Sequence, residues 1–209
     1  MTPSVKDIQL ALEKHHGIEF QRKISSATVA ICGLGGLGSN IAMLLARAGI
    51  GKIILIDFDK VDVSNLNRQQ YKVNQVGQYK AEALAKNIKE IMPCIQLEIH
   101  VEKLSDLNII QLLHQADIVC EALDQAQTKA WLVNTVLEKM PNKYVVAASG
   151  MAGFNNPNTI QTKVITDHFY LCGDRSSDLG LGLISSRVMI CAAHQAHAVL
   201  HILQTQDHL

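Results

Sequence analysis

TVAICGLGGLGSN (28–40) joins a strand to a helix through four glycines. Thr28 to Cys32 are strand formers, glycines follow at 33, 35, 36 and 38, and a helix is expected from about Ser39. Gly33, Gly35 and Gly38 satisfy G-x-G-x-x-G. Glycine permits a tight turn and lets bare backbone N–H groups approach a pyrophosphate or triphosphate at a helix N-terminus. Such a turn names a class of ligand and not a reaction.

Working outward, strand and helix patterns alternate. KIILID (52–57), IQLEIH (95–100), DIVCEAL (117–123) and KYVVAAS (143–149) read as further strands. Helices are expected over Ser39 to Ala48, Gly77 to Met92, Leu107 to Leu113 and Gln125 to Met140, two of them stopped by a proline. The pattern βαβαβαβαβ calls for an α/β fold, a doubly wound, Rossmann-like, mostly parallel sheet with helices on both faces. The near-continuous apolar strands agree, because both faces are then buried. Residues 5–23 read as one N-terminal helix with Ile8, Leu12, His15 and Ile18 near one face. After Ser149 the period is lost. TIQTKVIT (159–166) reads as a strand, DHFYLCGDRSSDLGLG (167–182) as a structureless functional segment, and Leu183 to Leu203 as a long helix.

Composition narrows the classes. At 209 residues and 48% hydrophobic content the chain can bury a sizeable core. Its zero formal net charge gives no reason to expect nucleic acid or an anionic membrane as partner. Apolar runs are too short to span a bilayer, and the N-terminus lacks a secretory pattern, so a cytoplasmic protein is expected. Five cysteines without a C-x-x-C predict no structural zinc.

Acidic and basic groups stand where a nucleotide in such a fold needs them. Asp57 ends the second strand, and an acidic residue there accepts hydrogen bonds from ribose hydroxyls. Asp59 reads equally as a metal holder or as a turn cap. In SNLNRQ (64–69), Arg68 offers a rigid fork of donors for phosphate oxygens, with Asn65 and Gln69 beside it. Lys80 opens the helix after Gly77, and with Arg68 it would neutralise a triphosphate. Asp124 lies past the C-terminal end of the fourth strand, placed for a magnesium ion carried by the nucleotide or for the N-cap of the following helix. His194, His197 and His201 share a helix face and read as interface rather than metal site. His15 and His16 read as surface, and Trp131 as a packing residue.

GLGGLGSN, DFDKVDVSNLNRQ, VGQYKAEAL and the EALD corner, in this order, resemble the ThiF type of ubiquitin-activating-like adenylyltransferases, across about residues 25–205. AASGMAGF (147–154), LCGD (171–174) and RVMICAAHQAH (187–197) resemble its short branch that activates the sulfur carrier ThiS. The resemblance implies a single domain over 1–209, with an N-terminal helix in 1–24, a nucleotide-binding core in 25–149, and a crossover loop with a C-terminal strand–helix unit in 150–209. It implies ATP and Mg2+ as cofactors. The glycines at 33, 35, 36 and 38 then cradle the phosphates, Asp57 binds ribose, and Asn65, Arg68, Gln69 and Lys80 contact phosphates. Asp124 binds magnesium. The acceptor would be the C-terminal Gly-Gly carboxylate of a ThiS-like carrier, in thiazole biosynthesis for thiamine, and the enzyme would be a homodimer.

Longer relatives carry an N-terminal arginine that reaches the neighbouring subunit's ATP; Lys14 or Arg22 are the nearest substitutes here. Some use a cysteine in the crossover loop, for which Cys172 is the candidate, and Gln125 stands where the family usually has asparagine. Two other classes compete. A nicotinamide-dependent oxidoreductase would explain the glycines and Asp57 but not Arg68 and Lys80. A catalytically silent scaffold would not need Arg68, Lys80 and Asp124. A sibling reading keeps the chemistry but changes the acceptor to another carrier, a peptide or a modified tRNA.

Overall fold

The computed structural model describes residues 3–177 and 179–206. Seven strands form one sheet: β1 (Thr28–Cys32), β2 (Lys52–Ile56), β3 (Gln96–His100), β4 (Ile118–Glu121), β5 (Tyr144–Ala148), β6 (Gln161–Thr166) and β7 (Phe169–Gly173). Their order is β3-β2-β1-β4-β5-β7-β6, and every neighbouring pair is parallel except β6 with β7. The helices are α1 (Val5–His16), α2 (Ile18–Ser26), α3 (Gly36–Ala48), α4 (Lys80–Ile91), α5 (Ile109–Leu113), α6 (Ala126–Lys139) and α7 (Ser185–Thr205).

Strand residues alternate between two cores, as a pleat requires. Val29 and Ile31 join Ile53, Leu55, Ile118 and Val146 beneath Ile24 of α2, Ile41 and Leu45 of α3, Leu84 and Ile88 of α4 and Val199 of α7. Ala30, Ile54, Ile56, Val119 and Val145 face the other way, against Ile109 and Leu113 of α5 and Leu132 and Val136 of α6. Each fully buried Ile or Leu contributes roughly 1.5–3 kcal/mol relative to exposure. The doubly wound architecture expected from the sequence is therefore the one observed.

Three local expectations are corrected. The N-terminal helix is broken at Gly17, whose φ of +85 no continuous helix accommodates. Neither α1 nor Ile18 is buried, so the apolar spacing there forms only a shallow contact with the core. Helix α3 starts at Gly36 rather than Ser39, so two of the glycines lie inside its first turn. The segment 167–182 contains a strand: β7 inserts between β5 and β6, pairing Val145 with Phe169 through Ala148 with Cys172. Five residues between polar flanks give no period of their own, and the β5 edge supplies their hydrogen bonds. Asp178 of that segment lies outside the described residues.

Close packing explains two glycines. Gly33 has φ +90, and a Cβ there would lie 2.7 Å from the Ala122 carbonyl oxygen. A Cβ on Gly38 would lie 1.8 Å from the Gly33 carbonyl oxygen, because α3 starts hard against the end of β1. Gly77 also has positive φ, but a Cβ there would meet nothing within 4 Å. Gly38→Ala is therefore expected to lower the unfolding free energy by about 3 kcal/mol or more through overpacking. Gly77→Ala should cost only about 1–2 kcal/mol of backbone strain. Denaturant titration of both variants measures the difference, and equal losses would contradict the contact.

Candidate active site

The site lies along the C-terminal edge of the parallel strands, where ligands of doubly wound sheets bind. Its floor is the turn from β1 into α3. Gly35 is the N-cap of α3 and has no side chain to cap the first turn, so the N–H groups of that turn remain for a ligand.

The segment between β2 and α4 folds back over this turn and is fastened to it. Asp57 Oδ2 accepts the Leu34 N–H at 2.6 Å and Tyr71 donates its hydroxyl to the Leu34 carbonyl at 2.7 Å. Ser39 Oγ accepts the Gln70 N–H, and Asn40 Nδ2 donates to the Gly36 and Arg68 carbonyls. These bonds bring Arg68 and Gln69 to the glycines. A Cβ on Gly36 would sit 3.5 Å from the Arg68 side chain, and one on Gly35 3.7 Å from Gln69.

Two polar atoms there, Arg68 Nε and Gln69 Oε1, are buried with no hydrogen-bond partner among the described residues. The Arg68 Nη1 donates to the Ser64 carbonyl at 2.9 Å and to Asn67 Oδ1 at 2.8 Å, which fixes the guanidinium. A buried unpaired donor costs about 1–3 kcal/mol. The uncapped N–H groups of the first turn of α3, with the Arg68 side chain beside them, are the donors that fit a nucleotide phosphate.

The other expected residues divide. Asp57 is buried, its second oxygen taking the Asp59 N–H at 2.8 Å. Burial pushes its carboxyl up from the usual range, against the Leu34 N–H and the Lys80 charge that hold it down. Lys80 is buried at the start of α4 with Nζ 2.8 Å from Asp59 Oδ2, so Asp59 is the ion-pair partner of Lys80. Asn65 commits its side-chain oxygen to the Asp62 N–H and shapes the turn that carries Arg68. Asp124 is exposed beyond β4 and makes no side-chain hydrogen bond among the described residues. It does not cap α6, whose N-cap is Gln125, without a side-chain bond. A free carboxylate at this edge is a hard oxygen donor suited to magnesium.

Several expectations outside the cradle change. Cys172 is buried in β7, and burial pushes its thiol up to about 11, the reverse of what a reactive thiolate needs. His16 is half-buried against Gln21, while His15 is exposed. His194 pairs with Thr162, and no metal-ligating cluster occurs among the described residues. Lys14 and Arg22 are exposed on α1 and α2. Trp131 packs against the second core and donates to Asp106. No helix among the described residues is long and apolar enough to cross a membrane.

Residues to which the sequence assigned no individual role do much of the holding. Tyr71 is one. Another is Arg187, the only charged residue inside α7, which is buried and donates to the Ala152, Asn155 and Asn156 carbonyls and to Thr159. It also meets Asp174 at 2.5 Å, both side chains 4% exposed. A lone arginine in an apolar helix is the signal that the sequence offers for it.

The model of the ThiF family matches residues 7–209. The chain belongs to the ThiF family. Among curated relatives, the adenylyltransferase and sulfurtransferase UBA4 of Lodderomyces elongisporus is 34% identical over 144 residues, 68% of this chain and 31% of that protein. The probable adenylyltransferase/sulfurtransferase MoeZ of Mycobacterium tuberculosis is 36% identical over 130 residues, 62% of this chain and 33% of that one. These ThiF matches thus span about a third of each relative. In overall shape the chain is similar to the E. coli tRNA N6-threonylcarbamoyladenosine dehydratase TcdA, solved in complex with ATP. That match has a TM-score of 0.85 and 23% identity, covering 95% of this chain and 94% of that one.

The Asp174 pair gives a pH prediction. Burial alone would raise this carboxyl, but the Ser177 and Ser176 N–H groups and Arg187 outweigh it and hold it well below the usual range. A carboxyl with a lowered folded value contributes stability above its ordinary value of 3.8 and loses it as pH falls further. Asp174→Asn should therefore lower Tm at neutral pH, and the gap to the unmodified protein should hold down to about pH 4 and narrow progressively below it. Thermal melts across pH test this; a constant gap would show that the charge of Asp174 is not the cause.

Proposed function

We propose that this chain is an ATP-dependent adenylyltransferase that activates the C-terminal Gly-Gly carboxylate of a ubiquitin-like carrier. The observation that carries the reading is the uncapped, glycine-lined first turn of α3 with the Arg68 and Gln69 side chains held against it. A nicotinamide oxidoreductase has no use for this guanidinium or for the Lys80 ammonium.

In this reading the α3 N-terminus and the glycines hold the ATP phosphates, and Asp57 takes the ribose with the lone pairs left over from Leu34 and Asp59. Arg68 and Lys80 neutralise the phosphates; Asp59 occupies only one of the three donors of Lys80. Asp124 would hold magnesium, which when bound neutralises the departing pyrophosphate. A carboxylate oxygen of the acceptor attacks the α-phosphorus, the bond from that phosphorus to the β-bridging oxygen breaks, and pyrophosphate leaves with the electron pair. Positioning and charge neutralisation supply the rate, with no protein nucleophile required. Buried Cys172 agrees with this.

A ThiS-like carrier, and with it the thiazole branch of thiamine biosynthesis, is the acceptor we favour, on the AASGMAGF, LCGD and RVMICAAHQAH strings. The relatives named adenylyltransferase and sulfurtransferase agree with a sulfur carrier. The TcdA name specifies a tRNA. Zero net charge argues against RNA for this chain, since backbone binding wants a basic surface. We further take 1–209 as a single domain, because one sheet runs from β1 to β7 and α7 packs on both α3 and β7. A homodimer is proposed on the resemblance and on apolar Leu44 of α3 and Met189 of α7, both 40% exposed.

The decisive experiment incubates the protein with ATP, magnesium and either a Gly-Gly carrier or tRNA, and reads ATP–pyrophosphate exchange and added AMP by mass spectrometry. Carrier-dependent exchange is expected. Arg68→Ala should reduce it by roughly 10²–10³-fold. Exchange at the unmodified rate in that variant would remove the site assignment, and exchange only with tRNA would replace the acceptor. Cys172→Ser should exchange at the parental rate; a large loss there would mean that the thiol takes part.

A further inference from the structure

The corner between β4 and α6 holds a buried ion pair that has no part in the adenylation chemistry proposed for the site. Glu121 ends β4 with its side chain 1% exposed, and Lys129 of α6 brings Nζ to 2.9 Å from both carboxylate oxygens. The pair also grips the backbone. The Leu123 N–H donates to Glu121 Oε1 at 2.7 Å, and Lys129 Nζ donates to the Leu123 carbonyl at 2.9 Å. That carbonyl belongs to the peptide whose nitrogen is that of Asp124.

The same corner is tied to the glycine turn. The Ala122 N–H donates to the Cys32 carbonyl at 2.9 Å, and Gly33 packs directly on the Ala122 carbonyl and the Leu123 side chain. From the opposite side Gln195 of α7 donates to the Glu121 carbonyl at 3.0 Å. Asp124 itself has no such support. With no side-chain partner among the described residues and no cap on α6, its direction is set by its backbone alone.

We propose that Glu121 and Lys129 are positioning residues for Asp124, fixing the peptide before it so that its carboxylate faces a magnesium ion on the bound nucleotide. The proposal rests on the ATP reading. A buried ion pair is weak evidence for stability, since apolar residues of similar volume often serve as well. What apolar residues cannot do is hold the N–H and the carbonyl of Leu123 together. Partners behind a metal ligand typically govern metal affinity by about 10–100-fold.

The test is calorimetry of ATP binding in EDTA and in Mg2+, whose ratio of dissociation constants is the coupling between metal and nucleotide. The neutral variant Glu121→Gln/Lys129→Met should leave metal-free ATP binding within about twofold and reduce the coupling about tenfold. Asp124→Asn should remove the coupling alone, and adding the pair substitutions to it should change nothing more. A pair that only stabilised the fold would weaken binding with and without metal, in both backgrounds, and that result overturns the proposal. Glu121→Asp keeps the charge but withdraws the carboxylate from Leu123 by one methylene, and should reduce the coupling by about threefold. Unchanged coupling in that variant overturns the proposal even if the neutral variant does not fold. Absence of ATP binding by the parent protein would overturn the ATP reading itself. Normal parental coupling with no effect of the pair would overturn only the positioning role.

Discussion

The Leu34 peptide groups are the hinge of this site. Asp57 takes the N–H and Tyr71 the carbonyl, from a segment distant in sequence. A glycine-rich turn has little conformational preference of its own, and ordering it is entropically costly. Two bonds to one residue, both buried, offset that cost. They also draw Arg68 and Gln69 over the turn, because Tyr71 cannot reach Leu34 unless the chain before it folds back across α3. The phosphate cradle and its cation are thus one device, held by the same contacts.

Charge is handled in the same manner around the sheet edge. Lys80 with Asp59, Lys129 with Glu121 and Arg187 with Asp174 each join a helix residue to a residue at or beyond a strand end. Two of these pairs are largely or wholly buried. Arg187 places its other donors on carbonyls and Thr159, and Lys129 one of its own on the Leu123 carbonyl, as buried charge requires. Arg68 Nε and Glu121 Oε2 are buried without a hydrogen bond among the described residues. The thiols follow the opposite logic. Cys120, Cys172 and Cys191 lie in the apolar interior, and burial raises all three.

How much is legible follows from which signals are local. The five parallel strands up to Ala148 and their helices can be read because each is an apolar or amphipathic run between polar segments, with glycine or proline ending α3, α4 and α6. The glycine turn, Arg68, Lys80 and the position of Asp124 are legible from spacing. Segment 167–182 hides its strand because β7 has no period of its own; its strand state comes from the open edge of β5. Gly17 does not show as a break because the apolar spacing continues across it, while its positive φ leaves no mark in a pattern.

The sequence by itself determined the doubly wound α/β order, a phosphate-accepting turn at 33–38 and the residue types around it, since these depend on side-chain period and backbone freedom within a few residues. Only the tertiary structure decided which charges are committed and which are free. Asp59 is taken by Lys80, Asn65 by its own turn and Cys172 by the core, while the exposed carboxylate of Asp124 stays open. Hydrogen-bond satisfaction is a property of what meets across the fold, and residues 23 or 74 positions apart, as in Leu34 with Asp57 and Glu121 with Gln195, leave no trace of it in either segment alone.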